Sequence, residues 1–298
     1  MKDFRIAAVQ MNSALGDNAG NLARHEPFVA AAAEAGAALV AFPEQSISGH
    51  WAEAGANAAA EAIPDGPSTQ RLIALAGQHD IYIAAGLAEQ AAGAIYNSYL
   101  IVGPGGVAGA QRKVHPSGDE YFFYRAGGGF EVFDLPFARV GVNVCADCNY
   151  PESSRVVALK GAEVLLAPHA ARCGPAPADA EAERQKVERN KRNTRRVNTM
   201  RASDNGLFVV YCNQAGLAGQ LAKPSGFTGT RDVVHAGGVL IFGPDGEVLA
   251  ESQAENFADE MVLADLSAAD LADQRGRQCF SLNLRRPAAY KVITDENV

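Results

Sequence analysis

Three residues of this 298-residue chain have types and settings suited to acyl-transfer chemistry: Cys145, Glu44 and Lys113. Cys145 closes the apolar run Val140-Gly141-Val142-Asn143-Val144 and is followed by Ala146-Asp147-Cys148-Asn149-Tyr150-Pro151-Glu152. A strand that stops at a cysteine and then turns into a helix holds the sulfur at a sheet edge, where helix N-terminal amides favour the thiolate. Glu44 follows Leu39-Val40-Ala41-Phe42-Pro43. A carboxylate this close to an apolar strand end is suited to a raised pKa and to general-base work. Lys113 lies in Gln111-Arg112-Lys113-Val114-His115, just past a hairpin. Taken singly, each has a plain structural explanation: a small buried thiol, a loop carboxylate, a solvated lysine. Taken together they are a nucleophile, a base and a cation, all at strand ends, as a thioester route requires. Lys113 would then hold the oxyanion with the backbone N–H of Ala146. A Cys/His pair with His115 or His169 as base fits the spacing as well.

The elements that must position these groups alternate between short apolar runs and longer alanine-rich stretches of helical spacing. Strands are expected at Arg5–Gln10, Ala38–Phe42, Ile81–Gly86, Ser98–Val102, Val140–Cys145, Val164–Ala167, Phe208–Asn213, Gly238–Phe242 and Glu260–Asp265. Helices are expected at Asn18–Ala35, Gly66–His79, Glu152–Lys160 and Glu181–Asp204. Turn chemistry recurs at Gly103-Pro104-Gly105-Gly106 and Gly243-Pro244-Asp245-Gly246. A short internal repeat aligns the segment from Gly36 to Glu44 with the segment from Gly161 to His169, each ending in Pro and an ionisable residue just past a strand. Two strand–helix–strand units imply an α/β fold: a four-layer αββα sandwich of two mixed β-sheets flanked by helices. The ends of both repeats fall where such sheets place ligand chemistry, so His169 is expected at the rim of the pocket that holds Glu44. No boundary divides the chain, so residues 1–298 read as one domain. From about residue 270 onwards they read as a C-terminal extension over the body or a partner subunit.

Composition excludes several classes of function. A formal charge of −8 argues against a general nucleic-acid or anionic-membrane binder. No apolar run approaches the ~20 residues of a membrane-spanning helix. The five cysteines are an odd number without small-scaffold spacing, and the N-terminus runs almost at once into a strand. Both suggest a reducing, cytoplasmic setting without a leader. Cys145 and Cys148 make a single C-x-x-C without a second pair, which is weak ground for a metal or redox site. No metal is expected.

The same blocks carry a family likeness over nearly the whole chain. Ala7-Ala8-Val9-Gln10, Gly16-Asp17 and Phe42-Pro43-Glu44, then Arg112-Lys113-Val114-His115, then Gly141 through Asp147 with Tyr150-Pro151-Glu152, resemble the nitrilase-like carbon–nitrogen hydrolase family. Arg285-Arg286-Pro287 and Tyr290 are similar to its terminal signature. The resemblance implies the αββα fold, a Glu44–Lys113–Cys145 triad, dimer-based assembly and no cofactor. It also implies a second glutamate beyond the lysine, which Glu120 matches. The local pattern departs from the family's at Val114-His115-Pro116, and that leaves Asp119 as a substitute.

Within the family, the segment after the cysteine decides the branch. True nitrilases resemble one another in carrying Trp-Glu there, whereas this chain has Ala146-Asp147, closer to amidases and N-carbamoyl hydrolases. The expected reaction is therefore hydrolysis of a small amide or N-carbamoyl compound, with nitrile hydrolysis as the alternative. A binding or scaffold protein on the same fold is the alternative of another class, and intact Glu44, Lys113 and Cys145 weigh against it. The basic stretch Arg184–Arg201, with Glu181, Glu183 and Glu188 interleaved, reads as a solvated helix face. Its sharper reading is that an arginine there, or Arg172, grips a substrate carboxylate. Trp51, the only tryptophan, could line the pocket or simply pack.

Overall fold

Strands that are apolar at every position, rather than at alternate ones, need cover on both faces. This chain has many, and the computed structural model, which describes residues 1–223 and 228–295, stacks them as two sheets. The strands are β1 (Phe4–Gln10), β2 (Ala37–Ala41), β3 (Tyr82–Ala91), β4 (Ala94–Gly103), β5 (Gly106–Arg112), β6 (Val132–Asp134) and β7 (Arg139–Val142). They continue as β8 (Val164–His169), β9 (Phe208–Asn213), β10 (Ala215–Ala222), β11 (Thr230–Ala236), β12 (Val239–Phe242), β13 (Val248–Glu251) and β14 (Glu260–Leu266). One six-stranded sheet runs β14-β1-β2-β3-β4-β5 and the other β13-β12-β9-β8-β7-β6, with β10 and β11 as a separate hairpin.

Both sheets are mixed, and they are built alike. From β14 to β5 the pairings run antiparallel, parallel, parallel, antiparallel, antiparallel. From β6 to β13 they run in the same order. β2 and β8, the strands of the sequence repeat, take equivalent places in the two sheets.

Ile6, Ala8, Leu39, Val142, Val164, Leu166 and Val210 meet in the core between the sheets. The alternate residues Ala7, Val9, Val40 and Ile83 face helices α1 (Asn18–Glu34) and, after the single-turn α2 (Ala56–Ala59), α3 (Pro67–His79). On the other side, Leu165, Val209 and Leu240 pack with Val157 of α4 (Pro151–Leu159) and Ala202 of α5 (Ala180–Asn205). The four layers of an αββα sandwich result. Local signals start the helices: Asp17 caps α1 through Gly20 N, proline opens α3 and α4, and Asp179 caps α5 through Ala182 N.

Several expectations need correction. The strand leading to the cysteine ends at Val142, and Cys145–Asn149 forms a 3-10 turn. The half-polar or glycine-rich strands β5, β6, β10, β11 and β13 lacked a legible period. The stretch from about residue 270, read as an extension, begins inside helix α6 (Ala268–Gly276), capped by Ser267 accepting from Ala269 N and Asp270 N. Among the described residues no helix is long and apolar enough to cross a membrane.

Candidate active site

Glu44, two residues beyond the apolar Phe42, has no exposed surface. Its Oε1 accepts from Lys113 Nζ at 2.7 Å and from Asn97 Nδ2 at 2.7 Å. Its Oε2 accepts from the Ala170 amide at 2.7 Å. That last bond joins the ends of the two repeats, Glu44 past β2 and Ala170 past β8. The Glu44 backbone is pinned as well, its carbonyl accepting from Gln214 Nε2 at 2.7 Å. The next residue, Gln45, sits at φ +45°, a conformation that is costly for a side chain with Cβ. Room for this bend comes from Gly86 in β3, where an added Cβ would stand 2.1 Å from Gln45 N.

Lys113 leaves the end of β5 and places its ammonium between two carboxylates, 2.7 Å from Glu44 Oε1 and 2.7 Å from Glu120 Oε2. Glu120 lies in a 3-10 turn whose first residues satisfy it, Ser117 donating from N at 2.8 Å and from Oγ at 3.0 Å. Its Oε1 accepts from Asn97 Nδ2 at 2.7 Å and from His50 Nε2 at 3.2 Å. One asparagine thus ties both glutamates together, sharing Glu44 Oε1 with Lys113. Asp119, the substitute weighed for Glu120, instead points out to an ion pair with Arg231.

Opposing charges settle the protonation states. Burial alone would push Glu44 up, but the Lys113 ammonium and then His50 outweigh it and hold the carboxyl below its ordinary range. The raised value expected from a strand-end carboxylate is reversed by the cation beside it. Glu120 is held well below its ordinary range for the same reasons. Lys113, despite burial, is held well above its ordinary range by Glu44, by Cys145 and by Glu120.

Cys145 opens the 3-10 turn at φ +49°, strained for a residue with a side chain. Burial and then the Glu44 carboxylate push its thiol well above the ordinary range, with Lys113 and the Ala170 amide pulling the other way. The sulfur therefore rests as a neutral thiol, not as the thiolate expected from a helix N-terminus. The element after it is a short 3-10 turn, and the Glu44 anion acts on the sulfur beside the Lys113 cation. Ala146, buried, follows at the second position of that turn, where a backbone N–H has no intrahelical acceptor. The turn is clamped by buried Asp147, which accepts from Val144 N at 3.1 Å, His115 N at 2.9 Å and His115 Nδ1 at 2.7 Å. Asp147 thus couples the cysteine turn to the segment just after Lys113.

The histidines divide. His115 is held by Asp147 and stacked on Tyr150, ring centroids 4.1 Å apart. His169 donates from Nδ1 to Ala167 O at 2.8 Å, and burial pulls it down to about 4, so it is neutral. It sits within electrostatic reach of Glu44. Arg172 reaches His50, and through it Glu120, by a bond of 3.3 Å from Nη2 to His50 Nδ1. Trp51 stands apart from this network: its ring lies against Gly16 and Gly55, and its carbonyl accepts from buried Tyr124 OH at 2.9 Å.

Sequence reasoning passed over Asn97, His50 and the clamp made by Asp147. The legible signal for Asn97 was a polar pair, Asn97-Ser98, inside an otherwise apolar strand. His50 carried no signal beyond its closeness to Glu44 in sequence. Glu44, His50 and Glu120 have ligand atoms within 4.8 Å of one another. With Lys113 Nζ at 2.7 Å from each carboxylate, the position between them already holds a cation.

A family model described as carbon-nitrogen hydrolase matches residues 5–275. A nitrilase of Pyrococcus abyssi is 33% identical over 282 residues, covering 94% of each chain. An N-carbamoylputrescine amidase of Solanum lycopersicum is 30% identical over 297 residues, covering 97% of this chain and 94% of its own. Among solved structures, an amidase variant from Nesterenkonia superposes with a TM-score of 0.73 at 22% identity, covering 97% of this chain and 95% of that one. That structure shows an acetamide moiety added covalently at its active-site cysteine.

Proposed function

The chain belongs to the carbon–nitrogen hydrolase family, and on that premise we propose that it hydrolyses a small amide or N-carbamoyl compound through a thioester on Cys145. The observation that carries this reading is the buried ion cluster, in which Lys113 bridges Glu44 and Glu120 while Glu44 and Lys113 both act on the Cys145 sulfur.

In the first half, Glu44, ionised and without exposure, takes the thiol proton as sulfur attacks the carbonyl carbon. The carbonyl π pair moves onto oxygen, where Lys113 and the Ala146 N–H stabilise the charge. Collapse breaks the C–N bond, and the leaving ammonia or amine takes the proton from Glu44. In the second half, water gives a proton to Glu44 and its oxygen attacks the thioester carbon. Sulfur leaves and regains the proton. Glu120 and Asn97 hold Lys113 and Glu44 in register, and His169 and Arg172 contribute to the substrate pocket. Trp51 packs behind the loop that carries Glu44. No cofactor enters either half-reaction.

The Ala146-Asp147 pair after the cysteine supports the amide and carbamoyl branch, while the Pyrococcus abyssi relative named a nitrilase supports nitrile hydrolysis as the second reading. The test is ammonia release from aliphatic amides, N-carbamoyl amino acids and nitriles, by the native protein and by Cys145→Ala. Release from amides or carbamoyl compounds that the variant abolishes is expected. Release from nitriles alone would move the chain to the other branch. The cysteine count supports a reducing, cytoplasmic setting.

A further inference from the structure

His50 belongs to the buried cluster, yet neither half-reaction gives it a task. It lies in the loop that begins at Glu44, with its ring buried between Glu120 and Arg172. Gly49 brings it there. At φ +68° the chain turns against the backbone of Ala14 and Leu15, and an added Cβ would stand 2.6 Å from Ala14 O. The ring then meets two groups: Nε2 stands 3.2 Å from Glu120 Oε1, and Nδ1 stands 3.3 Å from Arg172 Nη2.

These partners fix the position of the ring proton. A guanidinium only donates, and an ionised carboxylate only accepts. Nδ1 therefore accepts from Arg172, while Nε2 carries the proton and donates to Glu120. A proton on both nitrogens would leave no lone pair for Arg172, so the contact requires a neutral ring. Arg172 is anchored in turn. Its backbone pairs with His235 of β11, and Nη2 also donates to the His50 carbonyl at 3.4 Å.

Glu120 is where that proton matters. Its Oε2 accepts from Lys113 and from Ser117 N and Oγ. Its Oε1 accepts from Asn97 and His50, and Asn97 is shared with Glu44. Among the described residues, His50 is thus the donor to Oε1 that does not also serve Glu44. Its Nε2 stands 4.0 Å from Glu44 Oε1, too far for a hydrogen bond, so it distinguishes the two carboxylates. The bond from His50 also joins Lys113 in holding the Glu120 carboxyl low. Loss of this donor frees one side of the carboxylate to rotate, and the ammonium held on the other side moves with it.

We propose that His50 is a positioning residue for Lys113: a neutral imidazole, its proton fixed on Nε2 by Arg172, that locks Glu120 in the orientation that carries the lysine. The inference rests on the amide-hydrolase reading and deepens it. Donor and acceptor alternate from Arg172 through His50 and Glu120 to the cation that meets the oxyanion.

One arm of the test is spectroscopic and needs no turnover. In protein labelled with ¹⁵N-histidine, two-dimensional proton–nitrogen spectra at neutral pH should show His50 as the Nε2–H tautomer, its signals identified by their loss in His50→Gln. An Nδ1–H tautomer or a doubly protonated ring overturns the proposal. The second arm is kinetic, with whichever of acetamide, butyramide and N-carbamoylglycine the native protein hydrolyses. His50→Gln, able to place an amide N–H near the Nε2 position, should lower kcat less than about threefold. His50→Asn, too short to reach Glu120, should lower kcat about tenfold or more and change KM less than about twofold. Made in Glu120→Gln, the same His50→Asn change should cost less than about threefold, because the anchor it serves is already weakened. Melting temperatures taken alongside separate loss of fold from loss of positioning. Equal losses in the Gln and Asn variants, or full additivity with Glu120→Gln, overturn the positioning role while the hydrolase reading stands. Absence of Cys145-dependent turnover of any amide or carbamoyl compound removes both readings together.

Discussion

The central residue-scale fact is that Lys113 is buried between two carboxylates, 2.7 Å from each, at 1% side-chain exposure. A buried cation between two anions cannot be removed alone, because two carboxylates would then stand uncompensated in a poorly solvated place. Lys113→Met should therefore destabilise the fold by about 3–5 kcal/mol, read as a shift in the denaturation midpoint, besides removing activity. Glu120→Gln keeps the shape and the Ser117 contacts but halves the negative charge around Lys113. It should lower kcat while leaving the fold largely intact, and steady-state kinetics beside a thermal melt separate the two effects. The residue types and their strand-end positions were legible in the sequence. The protonation states were not: Glu44 was expected high and Cys145 low, and both came out reversed. The cause is a neighbour distant in sequence, 69 residues for the Glu44–Lys113 pair, and no local pattern reports such a charge.

At the scale of elements, the site depends on backbone bends that the strands and α1 make possible. Gly86 lets β3 pass against the Glu44–Gln45 bend, and an alanine there must displace backbone, since its Cβ would stand 2.1 Å from Gln45 N. Gly86→Ala should cut kcat/KM at least tenfold, because misplacing a catalytic group by about 1 Å can cost ~10²-fold. A second support is His25 of α1, buried, with Nδ1 donating to Asn21 O at 2.8 Å and Nε2 accepting from Ser46 Oγ at 3.0 Å, two residues after Glu44. Burial pulls His25 down to about 4 from an ordinary 6.5. The unfolded chain takes up a proton first on acidification, so stability is full above pH 6.5 and is lost as pH falls towards 4. The loss reaches about 3 kcal/mol at most. Melting temperature measured from pH 7 to 4.5 should fall in the native protein and fall less steeply in His25→Gln. An unchanged slope would assign the acid sensitivity to other groups. Helices with a cap or an opening proline, α1, α3, α4 and α5, were legible to within about a residue. Strands such as β5 and β10 were not, because glycine and polar residues interrupt the two-residue period on which such reading depends.

At the scale of the whole molecule, two sheets with the same succession of pairings bring the ends of a duplicated segment together, Glu44 from one copy and Ala170 beside His169 from the other. The nine-residue alignment in the sequence was enough to suggest the sandwich, because β2 and β8 take matching places. The hairpin β10–β11, which carries His235 and the partner of Asp119, Arg231, had no such signal. The outer layer leaves apolar side chains in water: Val156 and Leu159 on α4, Met200 on α5, and Leu284, Val292 and Ile293 near the C-terminal end. Where such side chains adjoin, they mark association surfaces. Light scattering coupled to size exclusion should therefore find a homodimer or larger assembly, and Leu159→Glu/Met200→Glu should shift it towards monomer. A native protein that is monomeric at micromolar concentration would refute the assembly expectation without touching the site.

The most direct test of the central claim is intact-mass and peptide mass spectrometry of the protein quenched in acid during turnover of a small amide. The mechanism predicts a population heavier by the acyl group, mapped to the peptide containing Cys145, labile to hydroxylamine and absent in Cys145→Ala. Turnover that proceeds with no adduct on Cys145, or that persists in the variant, would contradict the thioester route and the roles assigned to Glu44 and Lys113 with it.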